Sequence, residues 1–132
     1  TSTEWGGALS TFGEDVGWDG QSIKEIFAFP TYGLSMDQAV EVLGMPAPHF
    51  IKMDVDGIEH LILEGGDKYL NHKKVKSLSI EINENFKEQY DKVLNLMNKY
   101  EFKLLHKKHN HDMFSELSKF NKTFNYIFSK QK

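Results

Sequence analysis

Residues 49–55, HFIKMDV, constrain the fold of this chain more than any other stretch. Phe50, Ile51, Met53 and Val55 make the run nearly continuous in apolar character, and Pro46 and Pro48 cut it off from what precedes. A strand with one wet face alternates apolar and polar residues, whereas one covered on both faces, as in a parallel sheet, does not. The run is therefore expected to be an inner strand. It ends in acids, Asp54 and Asp56, followed by Gly57 and the apolar helix EHLILEGGDKYL with Ile58, Leu61, Ile62 and Leu70 inward.

The flanking segments extend this pattern. KEIFAFPT, residues 24–31, reads as a strand ending at Pro30. SMDQAVEVLG reads as a helix capped by Ser35, with Ala39, Val40 and Leu43 inward and Gly44 as its stop. VKSLSIEIN is a further buried strand. In ENFKEQYDKVLNLMNKY, the positions Phe86, Tyr90, Val93, Leu94 and Met97 recur at the spacing of one helical face. EFKLLHKK and TFNYIFSK alternate, with Phe102 and Leu104, then Phe124, Tyr126 and Phe128, on the apolar side. They are predicted to pair antiparallel at the end of the sheet. Between them, HNHDMFSELSKFN is a polar loop with a helical turn carrying Met113, Phe114 and Leu117.

Residues 1–23, rich in Gly, Ser, Thr and Asp, read as a loop-like lead-in, and residues 24–132 as the α/β core of a single domain. Parallel strands need helical crossovers, so the order points to the C-terminal half of a doubly wound, Rossmann-like sheet. The domain is expected to be incomplete at its N-terminal side. In such sheets ligands sit beyond the carboxyl ends of the strands.

Composition removes several classes of function. All 16 basic residues are lysine, so guanidinium clamping of phosphate has no source, and the net charge of −3 gives no nucleic-acid footprint. There is no cysteine, hence no disulfide or thiolate metal site. No apolar run approaches the ~20 residues that span a bilayer. A cytoplasmic protein without nucleic-acid or membrane partners is the expectation. His106, His109 and His111 lie in a Lys- and Asn-rich stretch without zinc-site spacing, and no metal site is expected there. Trp5, Phe12, Trp18 and Phe29 could floor an acceptor pocket, although aromatics in such places more often pack as core or interface.

The chemistry concentrates in KMDVDGIEH and SIEIN. Asp54, Asp56 and Glu59 follow the first strand, and Glu81 ends the next. If those strands are neighbours, Asp54 and Glu81 share one pocket, where mutual repulsion shifts their pKa values toward proton abstraction or cation binding. A structural reading competes: Asp56 as N-cap, Gly57 at N1 and Glu59 at N3 make a capping box. Asp54 is less easily explained that way, because an acid at the end of a buried strand costs stability unless it is paired.

The run KMDVDGIEHLILEGG, continued to Glu81, resembles the FkbM-type methyltransferases, whose signature is Lys-Ile-Asp-Val-Glu-Gly-x-Glu, an aliphatic helix ending in Gly-Ala, and a strand ending in Glu. The matching residues are Lys52, Met53, Asp54, Val55, Asp56, Gly57, Glu59, Leu63, Gly65, Gly66 and Glu81. Asp37 in GLSMDQAVEVLG matches an acid of the segment before the strand. The departures are Asp56 for Glu, Met53 for Ile and Gly66 for Ala.

The resemblance implies a class I fold and transfer of a methyl group from S-adenosylmethionine to a hydroxyl oxygen of a small acceptor such as a sugar or polyketide. It places Asp54, Glu59 and Glu81 at the catalytic centre, with Asp54 also at the cofactor and Asp56 as cofactor contact or cap. The Gly-rich turn and ribose-binding acid of such enzymes have no match here, so the isolated chain is expected to bind the cofactor weakly and to be inactive alone.

Two other readings stand beside this one. An apolar strand ending in Asp-x-Asp-Gly also begins haloacid-dehalogenase-type phosphatases, with Asp54 as nucleophile, Asp56 as acid/base and Mg²⁺ as cofactor. Alternatively the chain is a binding or assembly module. Unless KEIFAFPT covers the strand of residues 49–55, that strand becomes an open edge that invites a homodimer.

Overall fold

The computed structural model describes residues 11–109 and 120–130. Four helices and four strands follow in the order α1 (Met36–Glu41), β1 (Phe50–Met53), α2 (Glu59–Glu64), α3 (Asp67–Leu70), β2 (Ser77–Asn83), α4 (Lys87–Lys99), β3 (Phe102–Lys108) and β4 (Thr123–Lys130). The strands form one mixed sheet in the order β1-β2-β4-β3. β1 and β2 are parallel, with Met53 beside Ile80, and the long connection between them carries α2 and α3. The tail strands pair antiparallel at the end of the sheet as expected, with β4 between β2 and β3.

Side-chain alternation divides the sheet into two unlike faces. Leu78, Ile80 and Ile82 of β2 lie opposite Phe128, Tyr126 and Phe124 of β4, and this face packs into the core with Met53, Leu63, Val93 and Met97. The other face carries Ser77, Ser79, Glu81 and Asn83 opposite Ser129, Ile127, Asn125 and Thr123, and most of it is half-buried. The apolar stripe of α4 covers the core face, with Val93 and Met97 buried and Tyr90 and Leu94 packed at its margin.

Two of the expected elements differ. Residues 24–31 form no strand: Ile26, Phe27 and Phe29 are all more than half exposed, and Phe27 and Phe29 pack on each other with ring centroids 5.9 Å apart. A strand requires a ladder partner, and this segment joins no edge of the sheet. Among the described residues β1 is accordingly an edge strand, as expected for a chain in which residues 24–31 do not cover it. It is four residues long, and Phe50 at 75 % exposure shows that only one face is covered.

Smaller shifts have local causes. The expected single helix after β1 is broken at Gly65 and Gly66 into α2 and α3, and the fully buried side chain is Leu63 in place of Leu61. Leu104 is half exposed because β3 is the other edge strand, with an irregularity between Leu104 and His106. Leu43 is exposed too. The turn expected around Met113, Phe114 and Leu117 lies outside the described residues.

Ser35 caps α1 as expected, in a reciprocal box with Gln38. Asp37 then caps a second helix: its carboxylate accepts from the backbone amides of Lys68 (3.0 Å) and Tyr69 (3.2 Å), the first turn of α3. α1 has no buried residue, and this bridge, the Glu41–Lys68 ion pair and the packing of Met36 on the core tie it to the rest of the domain. No helix among the described residues is long and apolar enough to cross a membrane.

Candidate active site

Beyond Met53 the chain turns sharply through Asp54, Val55, Asp56 and Gly57 before entering α2. Asp56 (φ 60°) and Gly57 (φ 112°) both take left-handed backbone. Aspartate tolerates that region better than most residues. At Gly57 no side chain is possible, since a Cβ there would stand 2.8 Å from the Gly17 carbonyl oxygen and 3.0 Å from the Trp18 Cα. The N-terminal loop thus lies directly on the turn, itself closed by the Gly17 and Gln21 backbone hydrogen bond.

Glu59 ties the turn from inside. One carboxylate oxygen accepts from the Val55 amide and the other from the Gly57 amide, each at 3.1 Å, and the Gln89 side-chain amide of α4 donates to the second. Glu59 is only 1 % exposed. Burial pushes its carboxyl above the usual carboxylate range, and these donors pull it part of the way back. The expected capping box is not formed: α2 starts at Glu59 with Ile58 at the N-cap and no side-chain cap. Asp56 lies outside the helix, in a left-handed conformation that a capping residue, normally extended, does not have.

Asp54 is half exposed and paired with Lys52, which corrects the expectation of an acid buried at the strand end. The cause is the edge position of β1, whose carboxyl end opens to solvent. The expected meeting of Asp54 and Glu81 does occur. With Met53 beside Ile80 in the parallel ladder, the next residues of each strand are Asp54 and Glu81, close enough for the charge of Asp54 to act on Glu81. Burial, then the charges of Asp54 and Glu59, push the Glu81 pKa up to about 7.

A small pocket with room for roughly one water molecule opens beside this acid pair, bounded on its acidic side by Asp56, Glu59 and Glu81. Its neutral side is Asn83, Gln89 and Thr123, and Trp18 of the N-terminal loop closes one flank. Asn83 donates from its side chain to the Trp18 carbonyl (3.3 Å), accepts from the Asn85 amide (3.0 Å), and gives its own backbone amide to Gln89 (3.0 Å). The Thr123 hydroxyl is enclosed and meets no partner among the described residues. Among the described residues no lysine or histidine lines the pocket.

Sequence reasoning found the acids and missed Asn83, Gln89 and Thr123. Gln89 left a signal: it falls three residues after Phe86 and four before Val93, so a polar side chain sits on the buried stripe of α4. Of the aromatics considered, Trp18 lines the pocket, Phe12 and Phe29 are exposed, and Trp5 lies outside the described residues. His106 is exposed on β3, the ring of His109 packs on Phe124 at 4.9 Å, and His111 lies outside the described residues.

The acid pair lies at the carboxyl ends of adjacent parallel strands, the side on which α/β sheets hold their ligands. The comparison with protein families makes this specific: the family model described as the methyltransferase FkbM domain matches residues 13–104. The chain belongs to that family, one of methyltransferases, which take their methyl group from a donor cofactor. This finding lends no support to the phosphatase reading. No curated protein and no solved structure matches the chain.

Proposed function

We propose that the chain forms the acceptor side of an S-adenosylmethionine-dependent O-methyltransferase site, acting on a hydroxyl of a small acceptor. The observation that carries this reading is the Asp54 and Glu81 pair: Glu81 has an affinity for protons near neutrality, which suits removal of a hydroxyl proton. The four strands correspond to the C-terminal half of a doubly wound sheet. In support, β1 and β2 are parallel with a helical crossover, and the site lies at their carboxyl ends.

The residues present suit one end of the donor. Carboxylates at the pocket rim attract a sulfonium cation, whereas no Gly-rich turn leads from a strand into a helix among the described residues to hold the nucleoside end. The pocket has room for roughly one water molecule, far less than the roughly 300 Å³ at which sites for whole cofactors begin. When bound, the cofactor supplies a methyl group already activated for transfer. Glu81 accepts the acceptor's hydroxyl proton, and Asp54 raises the basicity of Glu81 by its adjacent charge. Glu59 and Gln89 hold the turn that positions Asp54, and Asp56 lines the rim. Alignment by these groups contributes more than bond activation does.

The test is transfer of tritium from methyl-labelled S-adenosylmethionine to hydroxylated acceptors. Label in an ether-linked methyl group is expected, with Asp54→Asn lowering turnover strongly and leaving the fold intact. Turnover unchanged in Asp54→Asn would make Asp54 a structural residue. Label transferred only to nitrogen would overturn the hydroxyl assignment.

A further inference from the structure

His60 is enclosed where three elements meet. It stands second in α2, its side chain is buried to 5 % exposure, and its Nδ1 meets no hydrogen-bond partner among the described residues. Phe86, the N-cap of α4 and itself buried, meets the imidazole edge to face, with ring centroids 6.2 Å apart. The N-terminal loop is seated on the same Phe86 ring, since a Cβ at Gly20 would stand 2.6 Å from it. The Gly20 amide donates to the Gly17 carbonyl (2.9 Å), and that carbonyl lies against Gly57 in the turn beside the acids. Imidazole, phenyl ring, loop and turn thus form one stack.

A neutral imidazole fits this enclosure and an imidazolium does not. The neutral ring can leave Nδ1 bare, at the cost of one unmade hydrogen bond. The cation carries N–H at both nitrogens, so the Nδ1 proton would be shut away with a charge and no acceptor. Phe86 compensates little, because 6.2 Å is beyond the reach of about 6 Å at which a ring face attracts a cation. The charged groups acting on the ring are Lys92 and Glu88 of α4, Glu64 of α2 and Glu14 of the N-terminal loop. Glu88 is engaged by Lys92 at 2.7 Å, which blunts its pull. Burial, then the charge of Lys92, hold His60 below its ordinary value of 6.5 against the three carboxylates.

We propose that His60 is a proton-operated latch on the N-terminal loop. Neutral, it backs Phe86 and keeps the loop against the turn that follows β1. Protonated, it swings out of the junction, Phe86 follows, and the loop lifts from the flank of the site that Trp18 closes. The folded chain takes this proton less readily than the unfolded one, so the latch adds stability above about pH 6.5 and loses it as pH falls from there. Glu59 and Glu81, both held above the usual carboxylate range, act with the opposite sign, and loosening by acid in this window is not theirs. The latch rests on packing and is independent of the methyl-transfer reading.

The experiment is an NMR titration of the ¹³C,¹⁵N-labelled chain from about pH 7.5 to about 5, with neither cofactor nor acceptor present. The His60 ring is expected to titrate below 6.5, and the amides of Gly17, Gly20 and Gly57 to move with the same midpoint. In His60→Leu, whose side chain suits the enclosure, those amides should hold still, and the melting temperature should fall less on acidification than in the parent. Gly20→Ala forces the loop off Phe86 and should raise the His60 midpoint toward 6.5, because coupling between ring and loop is reciprocal. Should His60→Leu fail to fold, the parent titration and Gly20→Ala still decide. A parent midpoint at or above 6.5, amides that shift alike in the parent and His60→Leu, or a midpoint unmoved by Gly20→Ala would each overturn the latch.

Discussion

Gln89 of α4 donates to the carboxylate of Glu59 at the start of α2, and through it fastens the turn that follows β1. The bond joins residues thirty positions apart in the chain. Removing the carboxylate leaves the Val55 and Gly57 amides and the Gln89 side chain without their acceptor. Glu59→Ala is expected to cost about 3 kcal/mol in denaturant unfolding. Glu59→Gln should recover part of that loss, since one oxygen still accepts. A cost below about 0.5 kcal/mol for the alanine variant would show that water replaces the carboxylate readily.

Stability should depend on pH through Glu81. Its folded-state pKa is raised from 4.5 to about 7, so across that window the native chain binds more protons than the unfolded one. Stability attributable to this group is therefore full below about pH 4.5 and declines as pH rises through about 7. Melting temperatures of the parent and Glu81→Gln across that range check the sign. The glutamine variant should show a flatter profile, and identical profiles would assign the dependence to other groups.

Gly57 should tolerate no side chain. Its φ of 112° and the 2.8 Å approach to the Gly17 carbonyl mean that Gly57→Ala must move the N-terminal loop off the turn. The expected loss is about 1–3 kcal/mol. Trp18 emission, read in a Trp5→Phe background, should shift as its flank of the pocket opens. An unaltered spectrum would mean that the loop's position does not depend on this contact.

Asp37 joins α1 to α3, beside the ion pair of Glu41 with Lys68. Asp37→Ala should lose about 1 kcal/mol, the usual value of a helix cap. The loss should be local, with hydrogen exchange accelerating in α1 and at Lys68 and Tyr69 while β2 keeps its protection. Uniform acceleration across the chain would argue for a global role.

The outer edge of β1 has no strand beside it among the described residues, and Phe50, Ile26, Phe27 and Phe29 are exposed. Self-association of the isolated chain is expected by sedimentation at rising concentration. A monomer throughout, with a sharp cooperative melt, would end that idea.

Periodicity made the helices legible because each buries one stripe: Val93 and Met97 declare α4 in any reading of the sequence. The acid pair was legible because parallel neighbours bring equivalent positions together, which placed Glu81 beside Asp54 before any coordinates. Residues 24–31 misled because an apolar run reports a liking for extended structure and not whether a sheet edge exists to receive it. Residues 49–55 misled for a related reason: Phe50 is as apolar as an inner residue, and only the strand order exposes it. Thr123 was beyond reach, since nothing in TFNYIFSK says that its first hydroxyl will be enclosed without a partner.

The N-terminal loop holds the site through its main chain: the Trp18 carbonyl takes the Asn83 amide, and the Gly17 carbonyl lies against Gly57. A contact made by backbone survives substitution of the side chains around it. Mutational drift can therefore recolour this flank of the pocket, exchanging the indole of Trp18 for smaller or more polar groups, without dismantling the turn that carries the acids. The shape of this flank is thus open to change at a position where the side chain's ring contact in the fold described here is with Phe120, at 4.5 Å between centroids.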